Sequence, residues 1–202
     1  MRTRTLVTLA AAGLLASGCS TGGNTPGGTT TPAGLGLTTT TTTSVAIPKR
    51  PRDLAANGIQ ACDVLTPEQK VKLKITDAKP GTGERASTEP YCAYFVDPIG
   101  STLHYGFNVA PVSNTSLEYW FQGVTATVKL IDVAGFPAAR VSSKSGTGGT
   151  GNQCGINIGI ADGKTLGVEG SLIEAPFTED QMCDETVKVA EAALATLIQH
   201  NK

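Results

Sequence analysis

Aromatic residues make up only 5% of this 202-residue chain, and charged residues only 16%. There are two histidines, His104 and His200, and lysine and arginine form no cluster. So few imidazoles leave little material for general-base or metal chemistry. The lack of a basic patch argues against nucleic acid as a partner. No apolar run approaches the length of a membrane-spanning helix.

What is present is concentrated at the start. Arg2 and Arg4 precede an apolar run from Leu6 to Leu15, and the small residues Ala16, Ser17 and Gly18 lead into Cys19. This is the layout of a secretory signal. It resembles the lipobox of bacterial lipoproteins, with Ala16 where that motif prefers leucine. The resemblance implies cleavage between Gly18 and Cys19, with diacylglyceryl and palmitate chains on Cys19. Residues 1–18 are then the signal peptide. Residues 19–50 form a lipid-anchored tether of Thr, Gly and Pro centred on Thr38 to Thr43. Such a segment has too little to bury to offset its ordering entropy. As a flexible coil it would hold the remainder roughly 30 Å from the anchor. Removing two arginines leaves 14 Lys+Arg against 17 Asp+Glu, a mature charge of 14 − 17 = −3.

Residues 51–202 are long enough for a single domain with one core. The four cysteines there, Cys62, Cys92, Cys154 and Cys183, read as two disulfides in an exported chain. Three pairings are possible. No two of the four lie within a few residues of each other, as a zinc ribbon needs.

Thr66-Pro67-Glu68-Gln69 carries a hydroxyl N-cap, proline at the first helical position and a capping box, which predicts a helix over Pro67 to Leu73. Lys79 to Pro90 reads as a loop broken by Pro80, Gly81 and Gly83. Tyr91 to Val96 reads as a strand, followed by a turn at Asp97 to Gly100. Leu103, Tyr105, Phe107 and Val109 then alternate with His104, Gly106 and Asn108, the period of a half-buried strand. Thr115 with Glu118 predicts a second capped helix carrying Leu117, Trp120 and Phe121 and ending at Gly123, with Trp120 in the core. Val128 to Val133 and Phe136 to Ser143 read as strands joined at Ala134-Gly135, the second at an edge or bulge because of Pro137.

After a glycine-rich loop, Ser145 to Asn152, Cys154, Ile156, Ile158 and Ile160 alternate with Gly155, Asn157 and Gly159. Asp162-Gly163 is a hairpin signal, and Leu166, Val168 and Leu172 continue the inward face. Thr178 with Gln181 caps a long last helix, whose buried stripe is expected to hold Cys183, Val187, Ala190, Leu194 and Leu197. Cys154 and Cys183 thus both face inward, which favours their pairing and leaves Cys62 with Cys92. The expected fold is α+β, an antiparallel sheet packed on one face by the C-terminal helix, with two disulfides.

Gln60-Ala61-Cys62-Asp63-Val64-Leu65-Thr66-Pro67, Cys92-Ala93-Tyr94 and Gly135-Phe136-Pro137-Ala138 make the domain similar to a family of actinobacterial lipoproteins of unknown function. That family has an Asp-Pro-Cys-x-Leu-Leu-Thr-Pro opening, a Cys-x-Trp and a Gly-x-Pro-Ala turn. Gln-Ala replaces Asp-Pro here, and Tyr94 replaces Trp. The resemblance implies an exported, lipid-anchored α+β domain and brings no catalytic residues. A second, weaker similarity is to the extracytoplasmic sensor domains of mycobacterial receptor Ser/Thr kinases.

Catalytic motifs are scarce. Gly146 to Gly151 spells GxGxxG, but a strand follows it where a phosphate site needs a helix N-terminus. His200 is three residues from the end, and His104 faces outward with no acid or nucleophile evident beside it. Catalysis, cofactor and metal are therefore not expected.

One polar surface stands out. The outward face combines Gly106, Gly155, Gly159 and Gly167 with His104, Asn108, Asn157, Thr165, Glu169 and Ser171. His104, Asn108, Asn157 and Glu169 are the candidate ligand-binding residues, suited to an envelope glycan or a partner's extended segment. The expected role is a lipid-anchored, extracytoplasmic binding or sensing module. Its partners are the membrane, through Cys19, and an envelope glycan or membrane protein. The alternatives are an accessory lipoprotein acting by contact with a membrane complex, or an envelope hydrolase.

Overall fold

The structure is a computed structural model and describes residues 45–82, 89–97, 104–122, 126–143, 153–174 and 177–202. The signal segment, Cys19, the tether through residue 44, Leu103, Gly123, the glycine-rich loop 145–152 with its GxGxxG run, and most of the turn after Asp97 lie outside the described residues.

Seven strands form one antiparallel sheet: β1 (Asp77–Thr82), β2 (Pro90–Val96), β3 (His104–Ser113), β4 (Thr127–Val133), β5 (Phe136–Ser143), β6 (Gln153–Ala161) and β7 (Lys164–Glu174). Their order is β1-β2-β3-β7-β6-β5-β4. Two consecutive meanders thus join where β3 pairs β7. Helix α1 (Pro67–Lys72) precedes the sheet, and α2 (Glu179–His200) follows it and packs on β6 and β7. The expected α+β architecture is the one observed.

The core lies between α2 and the inward face. Ile156, Ile158, Ile160 and Leu166 are fully enclosed, against Met182, Val189, Ala190, Ala193, Leu194 and Leu197 of the helix. Val187, expected in that stripe, sits at its half-buried margin, and Met182, Thr186 and Val189 take the deeper places. α2 packs directly over Gly170 of β7. A Cβ there would run into Thr186 Oγ1 and Met182 Cε, so the close approach requires glycine.

Both expected disulfides are present, Cys62–Cys92 and Cys154–Cys183, with Cα separations of 4.9 and 5.2 Å. Both capping boxes flanking the sheet form as expected, Thr66 with Gln69 and Thr178 with Gln181. Gln69 also donates from Nε2 to Ala192 O at 2.8 Å, tying α1 to α2.

Four expectations are corrected. Part of the loop expected over Lys79 to Pro90 is strand β1. Because β1 is an edge, Pro80 loses no ladder bond on its open side, and the Tyr91 ring lies over Gly81 in place of a side chain. The second capping box does not form: Leu117–Phe121 is a short 3₁₀ helix that starts after Ser116 with no side-chain cap. Trp120 on that helix is half-buried and outside the main core. Finally, β5 is an interior strand. Pro137 is accommodated because it stands one residue before β5 begins pairing with β6 at Ala138–Ile158.

The chain entering the domain is stitched in by side chains. Arg50, which composition assigns to the tether, pairs with Asp53 and with Asp162 in the β6–β7 turn. Arg52 donates to Ile198 O and Asn201 O at the end of α2. Asn201 Oδ1 accepts from Ala55 N, and its Nδ2 donates to Ala55 O and Leu197 O, each at 2.8 Å.

Candidate functional site

The candidate residues come from β3, β7 and β6, which are consecutive in the sheet. Period-two alternation sends their side chains to the face opposite α2. Register then decides which of them meet. Asn108 is opposite Glu169, and Glu169 is opposite Gly155. One pair along, Ala110 is opposite Gly167, and Gly167 is opposite Asn157. Next, Ser113 is opposite Thr165, and Thr165 is opposite Gly159. Asn108, Glu169, Asn157 and Thr165 therefore occupy one continuous patch.

His104 is not part of it. Four residues from Asn108 along a strand is about 13 Å. Its Nδ1 is 2.8 Å from Asp97 Oδ1, which corrects the expectation that no acid stands beside this ring. The hairpin between β2 and β3 brings the end of one strand to the start of the next, so that contact was implicit in the pairing. Among the described residues no nucleophile is hydrogen-bonded to this ring, so they form no triad around it.

The patch is less open than an outward alternation suggests. Asn108 and Glu169 are exposed, but Asn157 retains only 8% of its surface and Thr165 none. The 3₁₀ helix Leu117–Phe121 packs over β5 and β6 on this side. Leu117 Cδ2 comes within 3.2 Å of where a Cβ of Gly159 would be. Thr165 Oγ1, across the ladder from Gly159, is buried with no hydrogen-bond partner among the described residues, and so is Trp120 Nε1 on the 3₁₀ helix. Asn157 makes no side-chain hydrogen bond among the described residues. Its carboxamide lies flat along the sheet, Nδ2 beside Gly155 and Oδ1 beside Gly167.

The outward glycines separate into two kinds. Gly106 is needed because a Cβ would press on Tyr94 O at 3.0 Å, and Gly159 because of Leu117. Gly155 and Gly167 would accept a Cβ at ordinary contact distances of 3.5 Å or more. Among the described residues no packing contact excludes a Cβ at either position.

A cavity of about 360 Å³ opens beside the patch at the β6–β7 turn, with Gly159 and Pro137 in its floor and Leu117, Arg50 and Asp162 around it. A second, of about 480 Å³, lies between edge strand β1 and the Cys62–Cys92 bridge, walled by Pro80, Pro90 and Tyr91. Among the described residues that line it, the Tyr91 phenol is the only titratable group. Among the described residues no group of three His, Cys, Asp or Glu side chains is placed to hold a metal ion, and no helix is long and apolar enough to cross a membrane.

An antiparallel sheet backed by one helix, with two disulfides and a partly roofed polar face, defines a small α+β domain. The family described as "Protein of unknown function (DUF3558)" matches residues 14–196, and the chain belongs to it. No curated protein and no solved structure matches the chain.

Proposed function

We propose that this protein is a lipid-anchored binding or sensing module on the extracytoplasmic face of a bacterial cell membrane. One conjunction carries the reading: a chain that begins with a basic, apolar and small-residue series ending in Cys19 also folds around two disulfides. Disulfides persist in oxidising compartments and are rare in the cytosol, so the bridges and the leader point to the same address. The similarity to actinobacterial lipoproteins points there as well. Two or more acyl chains on Cys19 hold the protein at the membrane, each buried CH₂ contributing about 0.8 kcal/mol.

Binding rather than turnover is supported by the polar face. Asn108, Glu169 and Asn157 share it with no activated nucleophile among the described residues, while His104 stands apart with Asp97. The ligand is a component of the envelope, a glycan or a membrane protein. Metabolic labelling with an alkyne analogue of palmitate tests the anchor. Label on the wild-type chain and none on Cys19→Ala is the expected result. Equal labelling of the two, or none on either, would contradict it.

A further inference from the structure

We infer that the sheet face between β3, β7 and β6 binds a neutral oligosaccharide, with Asn157 and Thr165 as its buried hydrogen-bonding groups and the 3₁₀ helix Leu117–Phe121 as its movable cover. The inference rests on the binding reading above and names the ligand class of that same face. It starts from side chains that the fold leaves incomplete. Buried polar groups are almost always hydrogen-bonded, and each exception calls for a partner. Two exceptions gather here: Thr165 Oγ1, across the ladder from Gly159, and Trp120 Nε1, on the helix whose Leu117 packs against Gly159. Beside them Asn157, 8% exposed, makes no side-chain hydrogen bond among the described residues.

The chemistry of these groups selects the ligand. Amide and hydroxyl each offer a donor and an acceptor, which suits sugar hydroxyls, themselves both. Glu169 at the rim accepts further hydroxyls and disfavours an anion. Arg50, in the cavity beside Gly159, is already paired with Asp53 and Asp162. An extended peptide is a poor fit because β7 and β6 are paired on both sides, so their backbone has no free edge to augment. Gly155 and Gly167 keep the floor flat on either side of the Asn157 carboxamide, although each would accept a Cβ at ordinary contact distance. Tyr119, 54% exposed and edge-on to Trp120, supplies an aromatic face at the margin. The cover is a single uncapped 3₁₀ turn with one buried residue, Leu117. Few buried contacts make it an element of low local stability, able to lift.

Trp120 is the only tryptophan in the chain, so its emission reports on the cover directly. The test titrates the intact lipoprotein, in micelles of a phosphocholine detergent, with neutral tri- and tetrasaccharides of glucose, mannose, galactose and N-acetylglucosamine. At least one series should give a saturable change in Trp120 emission. Thr165→Val should weaken it tenfold or more while raising the Tm of the free protein, a pairing of effects that a purely structural hydroxyl does not produce. Gly155→Ala and Gly167→Ala, whose Cβ atoms the fold accepts at 3.5 Å or more, should weaken it without lowering the Tm. No saturable response to any of these sugars, or binding by Thr165→Val within twofold of wild type, would overturn the inference. A membrane protein that cross-links through this face without any sugar response would overturn the saccharide and leave the binding reading standing.

Discussion

Gly170 and Gly155 lie on adjacent strands and on opposite faces of the sheet, and a methyl group should distinguish them. At Gly170 a Cβ meets Thr186 and Met182 of α2, so Gly170→Ala must push the helix off the sheet. Overpacking of this kind costs about 1–3 kcal/mol. Gly155→Ala meets nothing closer than 3.6 Å and should be neutral or stabilise by about 0.5–1 kcal/mol through the unfolded chain. Urea midpoints at unchanged slope measure both. Tyr94 gives a second residue-level expectation. Burial, chiefly, pushes its phenol well above the ordinary tyrosine range, and the Asp63 carboxylate adds to this. The folded state then holds its proton more tightly than the unfolded one. Stability is therefore fully present below about pH 10, the free tyrosine value, and declines as pH rises above it. Tyr94→Phe should flatten that alkaline decline, as followed by urea midpoints between pH 8 and 11. An equally steep loss in the variant would contradict the assignment.

At the scale of elements, the clasp between the incoming chain and the end of α2 is held by few side chains. Asn201→Ala removes three hydrogen bonds to Ala55 and Leu197 and should cost about 1–2 kcal/mol, since net contributions per bond are near 1 kcal/mol and some groups regain water. Thr178→Ala at the other end of the helix should cost about 1 kcal/mol. Thermal unfolding of the two variants checks both values. The elements that could be read in advance are those whose signal is local. Thr66 and Thr178 cap as their spacing indicates because a capping box is closed within four residues. The alternations of β3 and β6 are visible because one face of each is buried. β1 was hidden because Pro80 and Gly81 break strands in general and are tolerated here only by an edge position and by the Tyr91 ring across the ladder. Thr115 and Glu118 have capping-box spacing, yet a five-residue 3₁₀ turn starts after Ser116 instead. In the candidate site, strand period gave the outward residues. Register and cover did not follow from period, so the grouping of Asn108 with Glu169, the separation of His104 and the enclosure of Thr165 emerge only from the pairing.

For the molecule as a whole, two bridges fasten the two ends of the fold. Cys62–Cys92 ties the segment before α1 to β2, and Cys154–Cys183 ties β6 to α2. They span 30 and 29 residues, and the chain-entropy estimate gives about 3–4 kcal/mol for each. Reducing both should lower the Tm by on the order of 15 °C or more, measured with and without reductant at equal pH. Such bridges persist in oxidising compartments, and they support the proposal that the protein works outside the cytosol, with the series ending at Cys19 as its export signal. The intact mass of the protein purified from the membrane fraction of its own cells, without reductant, tests that claim most directly. The account predicts a chain that starts at Cys19, carries diacylglyceryl and acyl groups there, and titrates no free thiol. A mass that retains residues 1–18, or five titratable thiols, would contradict it.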